Sequence, residues 1–540
     1  MNKMNKVKMK QTMKQHSFTT RLKSLAVVFG MALAFASCAN EDVPQNPTKS
    51  NEDNDKNLTT FMAGGETRTS LNYNSGDFYW EDGDYIYVKD DDGVLQKSTN
   101  APTGKVAAFK YKVPGKFTAS SSYKVYYLGK NSDGTSVSIS TAQSQTAPDD
   151  TEHFGTAGDY GTATANKVTG KNQFEFELEH QPAYLVFQPY TSNPVLQNCY
   201  LTKVEVTSDN DIAEKYTVNL TNNTLDASAV TDGKQIVLTT QDPTSGSSYN
   251  NGFPLTNSAA NVTTNGAYMV IKPGTHTLKV RYWVKDLVTD VEGTITRTLS
   301  SETYKSNTYY DMTANLDARD YDGDHYYMWD AQEQYWKGHE WWSSNKDQPA
   351  LNYGMNGNFP KSNADPRYHN EAYTYGVNNP ATHTPCKDLP NANELTWYCA
   401  YGDPRWDEDE VWTTMGHLYK GGMWFKKKSV LLAKGHYNSN TAFDGADWRR
   451  LNKSQTWFSS LTPPSAADAG NYFYLPALGS YDIFSNSSQL NHVGEIGDYW
   501  SSSAYPWDSR YAYKLNFFRG SIQVFSWSSR KNGYRVGTFE

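Results

Sequence analysis

Few residues in this 540-residue chain stand at spacings that could do chemistry, and each of those spacings is incomplete. His339-Glu340 opens like the zinc-binding helix of a metalloprotease, but Ser343 stands where the second histidine is needed. Asp320, Asp322 and Asp324 alternate as in a calcium loop. His325 occupies the glycine position, however, and Ala331 the place of the bidentate glutamate, so the run reads as a turn. There is no Gly-x-Ser-x-Gly elbow, no Walker phosphate loop and no Cys-x-x-Cys pair. Lone histidines such as His417 and His492 read as structural residues, and Asp407-Glu-Asp-Glu410 as a solvated face. No catalytic residue, cofactor or metal ion is expected, and the chain reads as a non-enzyme.

Recognition is the chemistry the residue types support. Asp508, Arg510, Tyr511, Lys514, Asn516, Arg519, Ser521, Gln523, Phe525 and Trp527 are the candidate ligand-binding residues. Arg and aromatic rings supply contact area while Ser, Asn and Gln adapt their hydrogen bonds, which is the mixture recognition surfaces use. If 516–525 is extended, Phe517, Ile522 and Val524 face a core, and Arg519, Ser521, Gln523 and Phe525 share the outer face. The alternative is a solvated β face without a ligand. Cys386 and Cys399, 13 residues apart, could form a disulfide in an oxidising compartment, leaving Cys199 as a buried thiol.

Such residues need strands to hold them, and the sequence supplies strand patterns. Period-2 alternation runs through Asp84-Tyr-Ile-Tyr-Val-Lys89, Tyr123-Lys-Val-Tyr-Tyr-Leu128, Phe174-Glu-Phe-Glu-Leu-Glu179 and His276-Thr-Leu-Lys-Val-Arg-Tyr-Trp283. Composition changes near residue 320, because 13 of the 15 Trp lie at or beyond Trp329. Upstream, the pattern predicts antiparallel sandwiches divided near residue 192, where Gln181–Pro189 ends one set of strands and Thr202–Thr207 begins the next. Downstream, short strands and loops surround a helix over 391–398, capped by Asn391 or Asn393, with a second helix starting near Asp403.

The amino terminus reads as an export signal. Residues 1–37 hold seven Lys/Arg and no Asp/Glu, and the apolar run from Leu25 to Phe35 is too short to span a bilayer. No other stretch is long and apolar enough to do so. Residues 39–56 contain no aromatic residue and a single Val, and read as a tether. Loss of the seven positive charges takes the formal charge from −8 to −15, which excludes nucleic acid as a partner.

Several segments resemble known families. Ala36-Ser37-Cys38 resembles a bacterial lipobox, in which Cys38 is acylated and becomes the new amino terminus; Phe35 departs from the usual leucine, and ordinary cleavage with a spare cysteine is the alternative. Glu41-Asp42 resembles the surface-export signal of Bacteroidetes lipoproteins. Phe61–Ser70, Phe78–Val88, Phe176–Phe187 and Lys272–Leu278 resemble the fimbrillin family of lipoproteins and pilins over about residues 59–318. In that family's pilins, cleavage after an arginine permits strand exchange; Arg68 stands in the matching region, where an arginine in a strand or turn is the plainer reading. Gly497–Ser503, Ala512–Val524 and Arg530–Val536, with Trp412–Trp424 upstream, resemble the Fibrobacter-type major paralogous domain, a C-type-lectin-like fold. No cysteine follows Cys399, so the cysteine pair of the related formylglycine-generating enzyme is missing, as are the sugar-binding tripeptides of calcium lectins. The same arrangement is similar to variable proteins of diversity-generating retroelements. That resemblance implies a constant framework of Tyr499, Trp500, Ser501, Ala512, Leu515, Phe517, Gly533 and Val536, with recoded residues between.

Together these readings imply a mainly β chain: signal peptide 1–37, lipid-anchored tether 38–58, two tandem fimbrillin-like β-sandwiches at 59–192 and 193–318, and an α+β C-type-lectin-like ligand-binding domain at 325–540. The expected function is display of an adhesin-like head by a surface-exposed, outer-membrane lipoprotein. An accessory or tip subunit of a fimbria and a glycan-binding surface lipoprotein are the alternatives. Expected partners are a protein or glycan on a host, bacterial or phage surface, the bilayer through the acyl anchor, and other fimbrial subunits.

Overall fold

The computed structural model describes residues 12–17, 57–64, 70–71, 73, 78–130, 132–321, 323–345, 347–349, 358–465, 468–482, 489–537 and 539–540. Cys38, Arg68 and Asp322 lie outside the described residues. The chain is mainly β, as the alternation predicts. It forms two compact units. One takes in Met1–Ser192, Tyr200–Tyr282 and Arg297–Leu316, and the other Asn193–Cys199, Trp283–Thr296 and Asp317–Glu540.

In the first unit, alternation buries every second residue of Phe109–Pro114 and of the start of Ser122–Tyr127, including Tyr111, Val113, Tyr123 and Val125. One sheet runs in the order Leu95–Lys97, Tyr87–Lys89, Ser122–Tyr127, Gly161–Lys167, Gln173–Phe176, Leu58–Ala63, Phe109–Pro114. Gln173–Phe176 is parallel to Leu58–Ala63, and the other neighbours in that order are antiparallel. Phe61, Trp80, Val125 and Phe174 form its core, with Trp80 set edge-on to Tyr111 at 5.4 Å between ring centroids.

Ala183–Tyr190, placed by the sequence at the end of the first set of strands, bonds to strands far downstream. It is antiparallel to Ala267–Ile271 and parallel to Thr308–Asn315. A continuous apolar run announces a strand covered on both faces, but it does not select the neighbours. Thr12–Ser17, inside the segment read as an export signal, lies antiparallel along the other edge of Thr308–Asn315, with Thr12 opposite Thr313.

The second unit is built on a six-stranded sheet in the order Tyr326–Tyr327, Tyr534–Arg535, Ile496–Ala504, Tyr511–Phe518, Ser521–Ser529, Gln455–Phe458. Helix Ala392–Tyr401 packs against it, with Leu395, Tyr398 and Cys399 in one core with Leu515, Phe517, Ile522 and Val524. Its start is as the sequence predicts: Asn391 Oδ1 accepts the Glu394 N–H at 3.1 Å, and Glu394 accepts the Asn391 N–H at 2.8 Å. The helix expected near Asp403 is instead a strand, Arg405–Thr414, paired with His417–Lys426. Pro404 suits the start of either element; the ten-residue partner strand, which a local reading does not contain, decides between them.

Cys386 and Cys399 do not form the expected disulfide, and the three described cysteines are free, buried thiols. Cys399 points into the helix-side core, whereas Cys386 belongs to a separate cluster with Trp329, Leu389 and Trp500. The Cys386 Sγ accepts the Asp330 N–H at 3.3 Å. Burial pushes the Cys386 thiol up to about 12 and holds Cys399 well above the ordinary range. Dithiothreitol should therefore leave the thermal unfolding midpoint unchanged, where opening a disulfide between residues 13 apart would cost about 3 kcal/mol. A midpoint that falls on reduction would contradict this assignment.

Candidate functional site

The candidate residues sit on the hairpin of Tyr511–Phe518 and Ser521–Ser529, closed by the two-residue turn Arg519-Gly520. Gly520 has φ 81°, a left-handed conformation that a side chain would strain. Ile522, Val524, Leu515 and Phe517 have no exposed surface. Ser521, Gln523 and Phe525 alternate with them as half-buried positions, so the predicted two-faced pattern is present. The expected framework residues Tyr499, Trp500, Ser501, Ala512 and Val536 are buried as well. Next to the hairpin, Gly497 lies under the Phe517 ring; a Cβ there would come within 2.1 Å of Phe517 Cζ.

The pairing carries a bulge that the sequence gives no sign of. Ala512 faces Ser528 and Lys514 faces Phe525, so one strand advances two residues while the other advances three. Alternation continues through buried Ser526 and Trp527, which is 54% exposed, and breaks beyond them, where Ser528 and Ser529 are both buried. From Ser521 to Trp527 the strand covers roughly 20 Å. The ten candidate residues are therefore spread along the sheet and do not form one patch.

Two of the ten are engaged inside the protein and are corrected accordingly. The Lys514 side chain is only 11% exposed and donates to Asp498, itself 8% exposed, at 2.6 Å. Its ammonium lies 4.4 Å from the Tyr534 ring centroid. Burial opposes the charge, yet Asp498 and Tyr534 hold the Lys514 pKa above the usual lysine value. Asn516 is 6% exposed; it donates to Asp498 at 2.9 Å and accepts from Gln523 at 2.8 Å. A one-strand view put both outward, but the neighbouring strand Ile496–Ala504 brings Asp498 opposite Asn516 and covers them. Arg519 is exposed at the far end, donating to Glu408 at 3.0 Å, near the bare rings of Phe458 and Phe518.

Asp508, Arg510, Tyr511 and Trp527 do come together, and they are joined by residues the sequence reading omitted. Tyr511 stacks on Trp527 at 6.2 Å and 26°, and Tyr505 tilts against Trp527 at 6.0 Å. Trp507 and Tyr375 make a near-perpendicular corner, 5.3 Å between centroids and 81° between planes. Tyr375 is 63% exposed and Trp507 45%. The Tyr375 segment is fastened to the loop at Pro506, whose carbonyl accepts the Tyr373 hydroxyl at 3.2 Å and the Gly376 N–H at 2.7 Å. Beside the rings, Arg510 grips Asp508 through Nε at 3.0 Å and Nη2 at 2.6 Å, and this grip lowers the Asp508 pKa.

The fully buried Arg530 pins this arrangement. Its Nε donates to the Tyr511 carbonyl at 3.0 Å, its Nη1 to the Asn370 carbonyl at 2.9 Å, and its guanidinium lies 4.3 Å from the Trp329 ring centroid. Burial pulls its pKa down to about 10. Aromatic pairs two residues apart, Tyr373/Tyr375 and Tyr505/Trp507, are the only sequence signal for the missed half of the site. Nothing local connects the two pairs.

Fold and site together describe a mainly β chain with an exposed aromatic cluster. No family model matches it, and no curated protein does. It is similar to a solved structure described as a candidate cell adhesion protein from Bacteroides ovatus, at 13% identity over 48% of this chain and 93% of that one, with a TM-score of 0.30. It is also similar to a fimbrial protein from Bacteroides ovatus, at 12% identity over 89% and 98%, with a TM-score of 0.23. The fimbrial anchor protein Mfa2 from Porphyromonas gingivalis is similar at 14% identity over 45% and 82%, with a TM-score of 0.21.

Structural and displayed residues should separate in a stability measurement. Lys514→Ala leaves Asp498 buried without its cation and should cost about 3–5 kcal/mol in urea unfolding. Trp527→Ala, at an exposed position, should stay within about 0.5 kcal/mol of the parent chain. Equal effects would overturn the division drawn between them.

Proposed function

We propose that this chain is a lipid-anchored, surface-exposed outer-membrane protein that displays a ligand-binding C-terminal domain on a fimbrillin-like stalk and catalyses no reaction. Its parts are the signal peptide 1–37, the tether 38–58, sandwiches at 59–192 and 193–318, and the C-type-lectin-like head at 325–540. The observation that carries the binding role is the cluster of Tyr375, Trp507 and Trp527. These are large rings left in water beside a formed Asp508–Arg510 clasp. An exposed aromatic cluster rimmed by polar groups is what a binding site presents, because truncating buried ring contacts in a complex commonly costs more than 2 kcal/mol. The anchor rests on the apolar run ending at Ala36-Ser37-Cys38.

A second reading, an accessory or tip subunit of a fimbria, draws on one feature. Cleavage before Cys38 would remove Thr12–Ser17 and leave the edge of Thr308–Asn315 open to another strand.

Two measurements test the proposal. Cells fed labelled palmitate should label the parent chain and not Cys38→Ser. Trp507→Ala with Arg510→Ala should abolish capture of whole target cells by the intact chain, with no change in its unfolding midpoint. Unlabelled parent chain would remove the anchor, and undiminished capture would remove the site.

A further inference from the structure

Building on the binding face proposed above, we infer that its ligand is a neutral oligosaccharide, stacked by the C–H faces of its pyranose rings on Trp527 and in the corner of Trp507 and Tyr375. Trp527, Trp507 and Tyr375 are 54%, 45% and 63% exposed. Trp527 spends its indole N–H on Asn452 at 3.1 Å, so its one polar atom is already engaged. Tyr511, near-parallel, and Tyr505, tilted, hold that indole in place. A flat, weakly polarised C–H surface is the natural partner for a π face whose quadrupole is negative. The corner of Trp507 and Tyr375 adds a floor and a wall at right angles, suited to a second ring of the same chain.

The polar rim argues for hydroxyls. Asp508 and Arg510 already neutralise each other through contacts of 2.6–3.1 Å. Such a pair offers lone pairs and N–H groups along one edge, which a sugar hydroxyl meets as both donor and acceptor. The net charge of −8, which becomes −15 on loss of the seven positive charges of residues 1–37, also repels acidic polysaccharides before contact.

The test is isothermal titration of the full chain with neutral gluco-, manno- and galacto-oligosaccharides and with their uronate-containing counterparts. At least one neutral oligosaccharide should bind saturably, quench tryptophan fluorescence and bind more tightly than its uronate form. Trp527→Ala should weaken it at least about tenfold. Should Trp507→Ala lower the unfolding midpoint, Tyr375→Ala, 63% exposed in the parent, takes its place. Failure of every neutral oligosaccharide to bind, or tighter binding of a uronate, overturns the inference. If whole-cell capture nevertheless still depends on Trp507 and Arg510, the binding face stands with a different ligand. If capture ignores those residues, the site falls as well.

Discussion

The exposed side of the Tyr511–Ser529 hairpin depends on the burial of its other side. Leu515, Phe517, Ile522 and Val524 have no exposed surface and pack under helix Ala392–Tyr401. Each such side chain contributes about 1.5–3 kcal/mol on burial, whereas an exposed ion pair such as Arg519–Glu408 contributes about 0–1 kcal/mol. The apolar side therefore sets the register, and the polar side follows it. A slip of one residue would turn those four residues toward water. Gly497 belongs to the same constraint, because only a residue without a Cβ lets the neighbouring strand pass under the Phe517 ring.

Burial also decides which charges are available. Lys514 and Asp498 hold each other with little exposed surface, so either one alone would be a stranded charge, and both are committed to the fold. Arg530 is committed as well: two carbonyls and the Trp329 ring occupy it, and it joins Tyr511 to the segment that carries Tyr375. Arg510 differs. It is solvent-exposed and tied to its near neighbours Asp508 and the Tyr511 ring, an arrangement that keeps it in place and accessible. Rigid rings beside a pre-set ion pair lose little freedom on binding, which favours affinity without a deep pocket.

The alternation of the Ser521–Ser529 strand connects these two halves. It keeps Ser526 inside, where it shares a hydroxyl contact of 2.9 Å with Ser454, and turns Trp527 out toward Tyr505 and Tyr511. Arg519 is left at the other end with Phe458 and Phe518. Beyond Phe525 the bulge breaks the alternation, and Ser528 and Ser529 are both buried.

Local pattern in the chain accounts for the mainly β character, the capped helix at Asn391, and the alternation that buries Ile522 and Val524. These follow from local periodicity and from side chains bonding within a few residues. Asp508, Arg510, Tyr511 and Trp527, four of the ten candidates read from composition, do stand together. The inward turn of Lys514 and Asn516 to Asp498, and the placement of Cys386 and Cys399 in different cores, come from long-range packing. Long-range packing alone brought Tyr375 to Trp507, paired Ala183–Tyr190 with residues 80 or more positions downstream, and made Arg405–Thr414 a strand. Each of these depends on a neighbour distant in sequence. Periodicity reports which side of an element is apolar; it does not report what lies across from it.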